Sequence, residues 1–297
     1  HATNLGFTPE EIEEGRKPVE LSARHIKATN PDINKPPLVI LHGLLGQANN
    51  WRNISGRREL NTDHDIFLVD LRNHGASPHT KYFDYIALQN DIAHFIEKNC
   101  PTRTANIIGH SMGGKTACAL ALLHPHVVAS LTVVDILPIQ YVKNEMDEIQ
   151  LILNTVASCD LSNGIDRRGI DEQLQHNIPD IGIRQWLLTN LRHTEPSVEN
   201  NNATLAWKAN IPTILKCYDN VRDWDLETRV WPYHGPTQLI IGEKSPFAQK
   251  DTAIDVMHDE FPECVIKTIH GAGHWCHAEK PDIFTNYIAE FLDEHHL

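Results

Sequence analysis

A serine two residues from a glycine on either side, in Gly109-His110-Ser111-Met112-Gly113, is the arrangement most able to do chemistry in this chain. The apolar run Ala105–Ile108 precedes it and an Ala- and Leu-rich run, Gly113–Leu123, follows it. A strand that turns into a helix over one residue forces that residue into strained backbone geometry and lifts its side chain clear of the sheet. The same turn aims a helix N-terminus at the reacting atoms, which favours developing negative charge. Ser111 is therefore the candidate nucleophile for attack on an acyl carbonyl.

A serine hydroxyl needs a base. His274, in Gly271-Ala272-Gly273-His274-Trp275, follows the last strand-like run, Val265–Ile269, and so falls at the same sheet edge as Ser111. His270 and His277 are its rivals, but His270 ends the strand and His277 reads as part of the next surface turn. The third member of a triad would hold the tautomer of the base and stabilise its imidazolium. Asp135 closes the apolar run Leu131–Val134, where a carboxylate needs a partner to offset its burial. Glu243 is the alternative, in Gly242-Glu243-Lys244-Ser245-Pro246, with Ser245 standing where an aspartate is the common choice. Asp135 is preferred because it follows the strand next in sequence after that of Ser111. For the oxyanion, the loop His42-Gly43-Leu44-Leu45-Gly46 after strand Leu38–Leu41 offers the backbone N–H of Leu44, and the helix start offers that of Met112. A further polar loop, Asp70 to His79, carries Asp70, Arg72 and His74. It reads as a brace for the elbow more readily than as a set of substrate ligands.

Elements of a particular kind must position these groups. Strand-length runs at 38–41, 66–69, 105–108, 131–134, 238–241 and 265–269 alternate with helix-length segments at 86–98, 113–123 and 282–293. That alternation predicts an α/β fold, a mostly parallel sheet flanked by helices. It breaks between Pro138 and Pro236, where helical pieces such as Asn144–Ser158 and Arg184–Leu191 occur without a strand. The division expected is therefore a core of residues 18–138 and 235–297, an inserted helical cap of 139–234, and an N-terminal extension of 1–17. Asn200-Asn201-Asn202 reads as a surface loop of the cap, and the apolar Trp186, Leu187 and Trp207 as residues that could dry an acceptor pocket.

Composition narrows the function. A formal net charge of −13 argues against nucleic acid or an anionic membrane as partner, since both select clustered Lys and Arg. No apolar run approaches a membrane span. Residues 1–17 are acidic and lack the apolar core of a signal segment. The six cysteines form no CxxC pair and read as small buried hydrophobes of a reducing compartment. The 19 histidines include no HExxH, so neither a metal nor a cofactor is expected. The expected partner is a small molecule that carries an acyl carbonyl.

Together these pieces resemble the α/β-hydrolase superfamily over nearly all of residues 37–297. The segments DLRNHGASPH at 70–79, GHSMGGK at 109–115, VVDILP at 133–138, WKAN at 207–210 and GAGHW at 271–275 are similar to one subgroup. It holds the bacterial esterase YbfF, the mitochondrial α/β-hydrolase-domain protein 11 of animals and the yeast ethanol acetyltransferases. The resemblance implies an α/β-hydrolase fold with inserted cap, and an acid after the strand that follows the nucleophile helix, which is Asp135. It also implies hydrolysis of short acyl esters and thioesters. For the yeast branch it implies acetyl transfer from acetyl-CoA to ethanol, with acetyl-CoA as donor substrate. Mitochondrial residence is implied by the eukaryotic members, while the residues themselves carry no targeting segment and otherwise suit the cytoplasm.

Overall fold

In the computed structural model the residues described are 6–141, 147–162, 165–194, 204–227 and 230–297, the side chains of Asp147 and Lys250 excepted. The apolar runs become strands: β1 Ala23–Ile26, β2 Leu38–Leu41, β3 Ile66–Val69, β4 Ala105–His110, β5 Val128–Val134, β6 Leu191–His193, β7 Leu205–Trp207, β8 Thr237–Gly242 and β9 Cys264–Ile269. Seven of them make one sheet in the order β1-β3-β2-β4-β5-β8-β9. β1 runs antiparallel to β3, and every other pair in that sheet is parallel.

β2, β3, β4 and β8 are buried at every residue, which explains the apolar residues at their centres. Alternate residues feed two cores. Leu38, Ile40, Ile66 and Leu68 pack with Trp51, Phe284 and Ile288 on one face. Val39, Leu41, Phe67 and Val69 pack with Leu88, Ile92 and Leu120 on the other. The helix Tyr85–Asn99 is started by Asp84, whose side chain accepts from Ala87 N at 2.7 Å. Met112–Leu123 is buried from Met112 to Leu122 and stops before Pro125. Pro281–Glu294 completes the flank of the second core.

All six expected strands and all three expected core helices are present. Several elements escaped the sequence pattern, among them the short helices Pro9–Gly15, Arg52–Ser55 and Arg58–Asn61. β1 is an exposed edge strand, Ala-Arg-His-Ile, whose polar residues suit an edge but give no apolar signal. The helix Lys250–Glu260 between β8 and β9 has too few apolar residues to show a clear stripe.

Between β5 and β8 the chain forms helices Asp147–Ser158, Arg167–Gln175, Ile181–Leu188, Ile211–Lys216 and Tyr218–Arg222. The expectation of a strand-free segment is corrected by the antiparallel ribbon β6–β7, paired from Leu191↔Trp207 to His193↔Leu205. Three residues per strand are too few to show an alternating pattern. The helix expected at 184–191 starts earlier, capped by Asp180 on Ile183 N at 2.9 Å, and ends before Leu191 enters β6. Asn200–Asn202 and residues 144–146 of the expected helix lie outside the described residues.

Strand order reverses at β2, which sends the chain first to β3 and later to β4. Open parallel sheets carry their binding crevice outside the carboxyl ends of the strands at such a point. The loop after β2 and the turn after β4 meet there.

Candidate active site

Ser111 is the single residue between β4 and the helix Met112–Leu123, with φ 53° and ψ −122°. A non-glycine residue in this region is strained, by about 1–3 kcal/mol. Its N–H donates to Val134 O at 3.1 Å, and its carbonyl accepts from Gly114 N at 2.8 Å and Lys115 N at 3.1 Å. The flanking glycines are set by packing: a Cβ on Gly109 would lie 2.2 Å from Gly113 O, and one on Gly113 would lie 2.6 Å from Leu41 O.

Asp135 ends β5, also at positive φ (53°), and is fully buried. Its N–H donates to Ile240 O at 2.8 Å, which turns the side chain toward β8. Oδ1 accepts from Gly242 N at 2.7 Å. Oδ2 accepts from the Ser245 hydroxyl and from His274 Nδ1, the latter at 2.7 Å. A buried carboxylate is thus fully supplied with donors. Glu243 instead points outward, to His270 Nδ1 at 3.0 Å and Gly271 N at 2.8 Å. Of the two carboxylates weighed from the sequence, Asp135 meets the imidazole and Glu243 does not. Because Asp135 can only accept, the imidazole proton is assigned to Nδ1, leaving Nε2 with a free lone pair.

His274 is nearly buried and its ring packs on Phe247 and His110, with centroids 4.4 and 4.6 Å apart. Its carbonyl accepts from His110 Nε2 at 2.9 Å. Close approach of the loop to β8 requires Gly242, where a Cβ would lie 2.1 Å from Gly273 O. His270 is exposed, as its place at the strand end suggested. His277 is not on the surface. The short helix Cys276–Glu279 folds it inward, where it stacks on Trp51 with centroids 4.2 Å apart, and burial pushes its imidazole down to about 3.

The loop after β2 abuts the elbow, since a Cβ on Gly43 would lie 3.1 Å from Ser111 Cβ. Within it, Leu45 N donates to His74 Nε2 at 3.1 Å and Gly46 N to Gly43 O at 2.9 Å. His42 donates from Nδ1 to Gly43 O at 2.7 Å and accepts at Nε2 from Leu71 N at 3.0 Å. Burial pushes His42 down to about 4 and His74 to about 3, so both stay neutral and keep the Nε2 lone pair that their acceptor role needs. Leu44 and Met112 both line the cavity beside Ser111. Met112 lies in the first helical turn, where backbone donors have no intrahelical acceptor.

The loop from Asp70 to His79 spends its polar groups internally. Asp70 accepts from Ala48 N at 2.6 Å and Ala76 N at 2.9 Å. Arg72, fully buried, forks onto Asp91 with two contacts of 2.6 Å and caps the carbonyls of Gly15 and Lys17. His74 holds Leu45 as described. These are bracing roles.

Ser111 and His274 line one narrow cavity whose walls include Trp51, Tyr85 and Phe247, with Ile136 and Tyr141 just after β5. Ile149, Ile152, Trp186 and Val221 come from the segment between β5 and β8. Of the three residues of that segment singled out in the sequence, Trp186 lines the cavity, whereas Leu187 is in the core and Trp207 packs against it. The enclosed space is about 50 Å³.

Two functional candidates were missed in the sequence. Ser245 was noted only as the absence of an aspartate, yet its hydroxyl donates to Asp135. Lys115, one turn after Ser111, is buried in the cavity wall. Its ammonium donates to the carbonyls of Ile139, Val221, Arg222 and Asp223 and sits 4.8 Å from the centre of the Tyr85 ring. Burial pushes it down to about 7. A lysine inside an otherwise apolar helix was the available signal.

All six cysteines are unpaired thiols. Among the described residues no group of three or more His, Cys, Asp or Glu side chains could hold a metal ion, and no helix is long and apolar enough to cross a membrane.

Comparison with known proteins places this geometry. The sn-1-specific diacylglycerol lipase ABHD11 of mouse is 31% identical over 265 residues, 88% of this chain and 82% of that protein. The esterase YbfF of Escherichia coli is 31% identical over 88% of this chain and 94% of its own length. A probable alcohol acetyltransferase of Saccharomyces cerevisiae is 29% identical over 91% of this chain and 81% of that protein. Among solved structures, a marine microorganism esterase superposes with a TM-score of 0.83 at 35% identity, covering 92% of this chain and all of the other. The family model described as alpha/beta hydrolase fold matches residues 36–281. With a parallel sheet, an elbow after β4 and relatives above 30% identity along most of its length, the chain belongs to the α/β-hydrolase fold family.

Proposed function

We propose that this protein is a serine-nucleophile hydrolase of short-chain acyl esters and thioesters, working through a covalent acyl-enzyme. The observation that carries the reading is the 2.7 Å contact of His274 Nδ1 with buried Asp135, with Ser111 on a strained elbow in the same cavity as His274. His274 Nε2 takes the proton of Ser111 as its oxygen attacks the carbonyl, and Asp135 stabilises the imidazolium without itself being protonated. The N–H groups of Leu44 and Met112 hold the oxyanion. The leaving alcohol or thiol departs with the proton from His274. Water, activated by the same histidine, then releases the acid. The small enclosed volume beside Ser111 supports a short acyl group. Residues 139–234 act as a cap over it, and no cofactor takes part. A reducing compartment suits the six free thiols, and the mitochondrial residence implied by resemblance belongs to the same proposal.

A second reading keeps the acyl-enzyme and changes the acceptor. The likeness to a probable alcohol acetyltransferase supports transfer of an acetyl group from acetyl-CoA to ethanol. Water and alcohol compete for one intermediate, so a single experiment separates them. Products are analysed with acetyl-CoA and with short-chain acetate esters, with and without ethanol, and Ser111→Ala serves as control. Acetate alone, unchanged by ethanol, is expected of a hydrolase. Ethyl acetate formed at the expense of acetate assigns the transferase. Turnover retained by Ser111→Ala would falsify the serine mechanism itself.

A further inference from the structure

His274 has a second cavity on its outer side. A groove of about 530 Å³ is bounded by His274 and by Ile183, Trp186, Trp275 and Ala278. It shares Trp186, His274 and Trp275 with the inner cavity but includes neither Ser111 nor the loop of Leu44. The rings of Trp186 and Trp275, which border both spaces, have centroids 5.8 Å apart. An ester bound for attack puts its carbonyl beside Ser111 and the loop of Leu44, and its leaving oxygen toward the histidine that returns the proton. The alcohol portion therefore points along His274 into the groove.

Apart from His274, the titratable residues bordering this groove are Asp180 and Glu279, both exposed carboxylates. Each uses one oxygen to cap the backbone: Asp180 accepts from Ile183 N at 2.9 Å and Glu279 from Gly273 N at 3.0 Å. Both negative charges are thereby held at the groove wall, and among the described residues no lysine or arginine borders it to offset them.

We propose that this groove is the alcohol-side subsite and that Asp180 and Glu279 make it select esters whose alcohol portion carries no negative charge. The inference rests on the serine hydrolase reading and adds the substrate class on the leaving-group side. It applies to charges that fall inside the groove. A thioester whose charged groups lie at the far end of a long arm carries them beyond it.

The test uses three acetates with the same acyl group: propyl acetate, acetylcholine and 3-acetoxypropionate. The anionic ester should show kcat/KM at least ~10-fold below the neutral one at low ionic strength, from two like charges a few ångströms away. Acetylcholine should equal or exceed propyl acetate, and added salt should narrow the spread. Asp180→Asn with Glu279→Gln keeps both capping carbonyl oxygens and removes the charges. That variant should bring the anionic ester to within about twofold of the neutral one, again by loss of the charge term. Equal kcat/KM for the three esters in the unaltered protein overturns the subsite, as does a spread that survives the double substitution. Labelling of Ser111 by a fluorophosphonate is read in parallel. Labelling with no charge selectivity removes the subsite alone, whereas absence of labelling removes the underlying mechanism.

Discussion

Ser245 donates its hydroxyl to Asp135 Oδ2, the same carboxylate oxygen that meets His274 Nδ1 at 2.7 Å. The serine thus occupies the place of a carboxylate and supports one that arrives from the neighbouring strand. Ser245→Ala removes a hydrogen bond to a charged acceptor, worth about 1.5–3 kcal/mol. A fall of roughly 10- to 100-fold in kcat/KM is expected from that figure. In an Asp135→Asn background the same change should cost little, because the two act as one unit. A double-mutant cycle on a short-chain acetate reads this coupling. Additive losses would separate Ser245 from the acid.

Asp135→Asn leaves a side chain of the same shape and changes which tautomer of His274 it favours. A loss of about 10⁴ in kcat is expected. Glu243→Gln should stay close to the parent rate, since Glu243 contacts only His270 and Gly271 at the surface. Steady-state kinetics of the two variants decide the matter, and the opposite ranking would move the acid to Glu243.

The Arg72–Asp91 pair lies with both side chains out of contact with solvent. Removing one partner leaves the other buried and unpaired. Arg72→Met should therefore destabilise the fold by about 3–5 kcal/mol. Arg72→Met with Asp91→Leu should recover a large part of that loss. Urea unfolding midpoints measure both, and a silent single substitution would remove the bracing role given to this loop.

Buried histidines make stability sensitive to acid, His64 and His110 among them, both held below the free value by burial. His42 is pushed down to about 4, and His74 and His277 to about 3, by burial. Their unfolded values are near 6.5. As pH falls below that value the unfolded chain binds protons that the folded chain refuses, so stability drops, by up to ~1.4 kcal/mol per pH unit for each group. Above pH 7 this source of pH dependence is absent. Urea midpoints should fall by the equivalent of roughly 2–4 kcal/mol between pH 7.5 and 5.5. His277→Phe, which keeps a ring against Trp51, should flatten the slope. Identical midpoints at the two pH values would show that these imidazoles are protonated in the fold.

The parts of the fold legible in the sequence are those governed by local pattern. Val39 and Leu41 alternate with Leu38 and Ile40, and a strand buried on both faces needs apolar residues at all four positions. Ser111 was legible because its glycines are required by backbone contacts within a few residues of it. Contacts that join distant segments left no such trace. Ser245 gains its role by meeting Asp135 from 110 positions away, and Lys115 by meeting carbonyls of Val221 and Asp223 over a hundred positions on. His277 looked like a surface residue because a four-residue helix, too short for a periodic signal, turns it inward. The ribbon β6–β7 was missed for the same reason.

Ser111 and Asp135 close adjacent strands, and both hold a backbone conformation that glycine would occupy at lower cost. On the proposed mechanism, reactivity and folding pull against each other at Ser111. In a lineage released from the need for turnover, Ser111→Gly would relieve strain while the sheet stayed whole, whereas Asp135→Gly would leave Gly242 N, the Ser245 hydroxyl and His274 Nδ1 without their buried acceptor. Decay on the proposed mechanism would then begin at Ser111, and it would leave a descendant that folds more firmly than its parent.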